Sequence, residues 1–111
     1  MNKTSISYLT HTWNPIAMNC TPVSPGCAHC WAQGYMRRFA ANPSFSDAER
    51  AAYAGGTPVL AVDRLNEPLR RRKPAVVGVQ FMGDLFHERV PFEMILRVFS
   101  AMHRAKQHLF L

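Results

Sequence analysis

Cys20, Cys27 and Cys30 are the only cysteines in the chain, and the stretch Thr21-Pro-Val-Ser-Pro-Gly26 separates the first from a CxxC pair. Three clustered thiols make a poor disulfide framework, because disulfides staple distant segments and use cysteines in pairs. As thiolates they are soft donors that select zinc or an iron-sulfur cluster. A structural zinc site is closed by a fourth ligand. His29 lies inside the CxxC pair and reaches the same metal with difficulty, while His11, His87, His103 and His108 depend on tertiary placement. A 4Fe-4S cluster on three cysteines instead leaves one iron open to an external ligand. Spacing alone leaves three readings: iron-sulfur, zinc, and unligated structural or redox thiols.

The elements around the thiols follow from pattern. Pro15, Pro22 and Pro25 deny helix to residues 1–30 and make them a constrained cluster loop. From Ala28 to about Ala41, Trp31, Tyr35 and Phe39 recur every four residues, which predicts an amphipathic helix launched from the last cysteine and ended by Asn42-Pro43. Those aromatics are expected in the core, not as a nucleotide-stacking platform. Ser46 and Glu49 have capping-box spacing, so a short helix is expected over 47–54, stopped by Gly55-Gly56. Residues 56–74 read as a connector, and the β-branched run Ala75–Phe81 reads as a strand covered on both faces. Pro91 is suited to the first position of a helix that presents Ile95, Val98, Phe99 and Met102 on one face, and Gln107–Leu111 begins another buried strand. Residues 75–111 thus form a βαβ unit, which is parallel and right-handed. Met36, Met82, Met94 and Met102 are expected as core fillers, and Trp13 and Asn14 as supports of the cysteine loop.

The chain has 111 residues, 48% of them hydrophobic, enough for a single domain over 1–111. It has no leader pattern and no run of roughly 18 apolar residues, so the expected location is the cytoplasm, with no membrane partner. His-Leu-Phe-Leu111 stops the chain in mid-architecture. The expectation is therefore either truncation at the C-terminus, or a final strand edge buried by self-association or a partner protein. The net charge of +6 is concentrated at Arg37, Arg38, Arg64 and the run Arg70, Arg71, Arg72, Lys73. That run would suit nucleic acid or another phosphate-bearing partner, or be a solvated connector; no aromatic residue interleaves with it. Asp84, His87 and Glu88 form a polar cluster just past a buried strand, where functional loops collect. No phosphate-binding glycine loop, HExxH helix or GxSxG elbow is present.

The wording of three segments is more particular than their spacing. Thr12-Trp-Asn-Pro15 followed by Cys20-Thr-Pro-Val-Ser-Pro-Gly-Cys27-Ala-His-Cys30-Trp-Ala32, then Asp63-Arg-Leu-Asn-Glu-Pro-Leu-Arg70, then Met82-Gly-Asp-Leu-Phe-His-Glu88 with Val90-Pro91, resembles a phage and prophage family of unknown function. That family is built around a three-cysteine motif and regarded as radical-SAM-like. Asn19 stands where the family usually has glycine, and Trp31 where it has tyrosine. The resemblance implies an incomplete parallel (βα) barrel of radical SAM type, α/β, with about three strands and two main helices. It implies a 4Fe-4S cluster on Cys20, Cys27 and Cys30, and S-adenosylmethionine on the open iron. Gly83 and Asp84 would meet the methionine amino group, with His87 beside them. The alternative is a small non-enzymatic, metal-stabilised phage module, zinc-bound, that engages a host protein or nucleic acid.

Overall fold

The structure, a computed structural model, describes residues 1–111. Its central strand lies inside the segment that the prolines had marked as loop. Strands β1 (Asn2–Lys3), β2 (His11–Trp13) and β3 (Ile16–Ala17) precede a 3-10 turn, Pro25–His29. Helices α1 (Trp31–Ala40) and α2 (Asp47–Tyr53) follow, then β4 (Val59–Leu60), α3 (Val62–Leu65) and α4 (Glu67–Arg70). The chain ends in β5 (Val76–Val79), α5 (Phe92–Arg104) and β6 (Leu109–Phe110). The main sheet has the order β1-β2-β5-β6, with β2, β5 and β6 parallel and β1 antiparallel to β2; β3 and β4 form a separate antiparallel pair.

This corrects the expected incomplete parallel barrel. The chain forms a small mixed α/β domain with six strands in two sheets and five helices. A barrel needs its ladder to close on itself. Here the antiparallel β1 takes one edge of the sheet and β6 leaves the other open. The extra strands were invisible in sequence because runs of two or three residues are too short to show alternation. The connector 56–74 likewise holds β4, α3 and α4.

Two apolar clusters hold the layers. Trp13, fully buried, packs with Val77, Val98 and Ala101 between the sheet and α5, and its indole N–H donates to the Arg64 carbonyl at 2.7 Å. Ala17, Ala32, Met36, Ala52, Tyr53 and Met82 form the second cluster, under α1 and α2. The small Ala32 and Met36 row lets α1 approach α2. The neighbouring aromatic row is therefore displaced outward, leaving Trp31 58% and Tyr35 46% exposed, contrary to the expected core role. Met36 and Met82 are buried as expected, whereas Met94 and Met102 are partly buried. Pro91 is the extended residue before α5, not its first residue, and Phe99 lies half outside with Phe92 and Leu96. No helix is long and apolar enough to cross a membrane.

The capping box on α2 is present: Ser46 Oγ accepts from the Glu49 N–H at 3.2 Å, and Glu49 Oε2 accepts from the Ser46 N–H at 3.0 Å. The other Glu49 oxygen takes Arg64 at 2.7 Å, and Arg64 also donates to Tyr53 Oη and the Asn14 carbonyl, both at 2.9 Å. Burial pushes the Glu49 carboxyl up, but hydrogen bonds from Arg64 and Ser46 outweigh it and hold the group below its ordinary value of 4.5. Its stabilisation is therefore in place above about pH 4.5 and is lost as the pH falls through the lower folded value. Glu49→Gln should flatten that acid limb in thermal melts run from pH 6 down to about pH 3. A limb as steep as that of the parent would remove this assignment.

Candidate functional site

Two side-chain amides, Gln80 buried and Asn14 half-buried, stitch the chain after β2 to the chain after β5. The Gln80 N–H donates to the Trp13 carbonyl at 2.8 Å and extends the β2–β5 ladder by one residue. The Gln80 side chain then turns onto Ile16: Oε1 accepts from the Ile16 N–H at 3.1 Å and Nε2 donates to the Ile16 carbonyl at 2.9 Å. In return, Asn14 Oδ1 accepts from the Met82 N–H at 2.9 Å. Gly83 completes the approach. A Cβ there would lie 2.7 Å from Met18 Cγ and 2.9 Å from its Sδ, so only glycine settles this close to the strand of chain leading to Cys20.

The result is a junction of the cysteine loop with the turn over residues 83–87. Asp84 lies beside Cys20, close enough for its charge to act on the thiol. His87 Nδ1 accepts from the Arg89 N–H at 3.1 Å, which assigns the ring proton to Nε2, and Nε2 donates to Thr21 Oγ1 at 2.9 Å. Asp84 is exposed, and its Oδ1 accepts from the Phe86 N–H at 2.9 Å, so the carboxylate also caps its own turn. Gly83, Asp84 and His87 thus adjoin the loop, as do Asn19 and Gln33, which sequence reasoning passed over. Asn19 donates to the Tyr53 carbonyl at 2.9 Å and accepts from Gln33 at 3.3 Å, anchoring the loop entry to α2 and α1. The hydrogen bonds of Trp13 and Asn14 go to Arg64 and Met82 and not to the cysteine loop directly, so Asn14 acts on the junction through Met82.

All three cysteines are free and half-buried. Burial, then the charges of Asp84, Cys30 and Cys27, push the Cys20 thiol up. Hydrogen bonds from the backbone at Val23 and from Ser24, whose Oγ is 3.6 Å from the sulfur, pull the Cys27 thiol down. The three thiols share one neighbourhood without meeting at a point, and no three cysteine, histidine, aspartate or glutamate side chains are grouped to hold a metal ion. Residues 21–26 are all exposed, so little in the core restrains the loop between its two ends.

Beside this junction lies a cavity of about 800 Å³. Trp31, next in chain to Cys30, and Met82, next to Gly83, both line it. Phe39, Phe45 and Tyr53 form its aromatic back, with centroids 5.2 to 5.6 Å apart, and Trp31 stands edge-on to Tyr35 at 5.7 Å. A second, smaller pocket of about 320 Å³ is lined by Met1, His11, Glu67, Arg70 and Arg71. It lies at the opposite end of the parallel strands from the cysteines, since His11 opens β2 and Arg71 precedes β5.

Fold and site together define a small mixed α/β domain with a three-cysteine loop at the carboxyl ends of two parallel strands. The chain belongs to the family described as Protein of unknown function (DUF5131), whose model matches residues 3–111. No curated protein and no solved structure matches it.

Proposed function

We propose that Cys20, Cys27 and Cys30 hold a 4Fe-4S cluster with one iron left for S-adenosylmethionine, in a radical-SAM-like protein of phage origin working in a reducing cytoplasm. The observation that carries this reading is the junction itself: Thr21 and His87, 66 residues apart, are hydrogen-bonded, and Asp84 lies near enough to Cys20 for its charge to act on the thiol. The donor set is of the right chemistry for such a cluster, being three free thiols within residues 20–30, though the structure does not draw them together to one point. Zinc would call for a fourth ligand.

When bound, the cluster supplies the electron that cleaves a carbon-sulfur bond of S-adenosylmethionine. The chain's own residues bind and orient. Gly83 lets the turn that carries Asp84 approach the chain before Cys20, and His87 fixes the start of the loop through Thr21. With Asp84 Oδ1 engaged by the Phe86 N–H, Oδ2 is left to receive an ammonium group such as that of the methionine moiety.

Anaerobic reconstitution with iron and sulfide tests the proposal. The expected product is brown, carries about four irons per chain, and changes its electron paramagnetic resonance spectrum when S-adenosylmethionine is added. One zinc per chain and no iron would sink the cluster; a cluster blind to S-adenosylmethionine would sink the radical chemistry.

A further inference from the structure

The aromatic cavity and the cationic pocket are neighbours, because Met1 and Glu67 stand in the walls of both. Their linings are complementary in kind. Tyr8, Trp31 and Tyr35 line the cavity while remaining 64%, 58% and 46% exposed, so their rings face open space instead of the core. Such rings offer flat faces to a planar ligand. Lys3 is in the same wall, and the Arg38 guanidinium lies 5.6 Å over the Tyr35 ring. The smaller pocket is basic: Arg70, Arg71 and His11 face it, and its one carboxylate, Glu67, is taken by the Met1 amino group. Burial, then the positive charges of Arg71, Lys3, the N-terminus and His108, push the His11 ring below its ordinary value. Arg71 also has a buried Nε–H with no acceptor anywhere in the chain. Buried donors of this kind are normally paired, so this one points to an oxygen supplied from outside.

We infer that the two pockets together bind a nucleic-acid strand, one base stacked in the cavity against Trp31 and Tyr35 and a phosphate further along the backbone on Arg71 and Arg70. Aromatic walls alone would suit any flat ring. The adjoining cations, with an orphaned guanidinium N–H among them, select a ring that carries phosphate. The net charge of +6 favours the same ligand at long range. As a substrate for the cysteine site this assignment rests on the function proposed above; as a binding site it stands on the pockets alone.

Intrinsic fluorescence supplies the test, because Trp13 is fully buried and Trp31 is the only other tryptophan. The full chain is titrated with a short oligothymidylate and, separately, with thymidine monophosphate. A pyrimidine is used so that the adenine of S-adenosylmethionine is not what is being detected. Quenching is expected. Tyr35→Ala should weaken binding about tenfold or more, and Arg71→Gln should weaken it and reduce the slope of log affinity against log salt by about one. Both side chains are at least partly exposed, and circular dichroism of each variant checks that it folds. The oligonucleotide should bind more tightly than thymidine monophosphate, and equal binding of the two overturns a site that spans both pockets. Absence of quenching by both probes overturns the inference, as does binding that Tyr35→Ala leaves unchanged. Repeating the titration before and after iron and sulfide reconstitution separates the two readings: quenching without cluster formation keeps the pocket and sinks the cluster, and a cluster without quenching does the reverse.

Discussion

Replacing Cys27 by alanine should take the reconstituted protein from about four irons per chain to background, with no change in its melting temperature. Cys27 is the informative choice among the three. It sits in a 3-10 turn that buries no residue, whereas Cys20 and Cys30 pack against the second apolar cluster, where substitution mixes ligand loss with packing loss. Hydrogen bonds from Val23 and Ser24 already favour its thiolate, the form that binds metal. A variant that loses iron while its circular dichroism and melting curve match the parent assigns the sulfur as a ligand. Retained iron at the parent's stoichiometry would mean that the cluster, if one forms, is held elsewhere.

The largest loss of stability is expected at Gln80, a residue that reads in the sequence as an unremarked polar end to a strand. Its amide satisfies both backbone groups of Ile16, which is fully buried, and Gln80 is itself only 3% exposed. Gln80→Ala orphans a buried N–H and a buried carbonyl. At about 1–3 kcal/mol for each unsatisfied group, the expected cost for the two is about 2–6 kcal/mol, or a fall in Tm on the order of 10–25 °C. Gln80 also has φ +56, a conformation that glycine adopts without penalty. Gln80→Gly should therefore be about 1 kcal/mol less damaging than Gln80→Ala, since both lose the amide and only glycine relieves the backbone. Urea unfolding of the three proteins checks the order. Were alanine to cost less than about 1 kcal/mol, Gln80 would not be what joins the two halves of the site. The same variants should lower cluster yield on reconstitution, because the amide aligns the chain before Cys20 with the turn at Gly83.

How much of this was legible beforehand differs from element to element. The capping box of Ser46 and Glu49 could be read directly, because both partners lie within one helical turn and each supplies what the other needs. The cysteines, as a set of clustered thiols, and Asp84, His87 and Glu88, as a polar cluster behind a strand, were also apparent from residue type and spacing, whereas Gly83 came only from the family resemblance. The aromatic row of Trp31 and Tyr35 was misassigned to the core. Periodicity shows that residues share a face, but not whether that face or the adjoining alanine and methionine row meets the neighbouring helix. The run from Arg70 to Lys73 has no interleaved aromatics in sequence, and only the structure shows that the pocket of Arg70 and Arg71 shares Met1 and Glu67 with the cavity that Trp31 and Tyr35 line.

What the amino-acid order determined by itself is whatever local chemistry can express: which residues donate sulfur, where α2 begins, which run is apolar enough to be a covered strand. Tertiary structure decided the rest. The open mixed sheet in place of a barrel, the meeting of Thr21 with His87, and the hold of Gln80 on Ile16 across 64 residues all depend on contacts between segments distant in the chain. Such contacts leave no periodic trace, because each is made by a single side chain whose partner is chosen by packing elsewhere in the molecule.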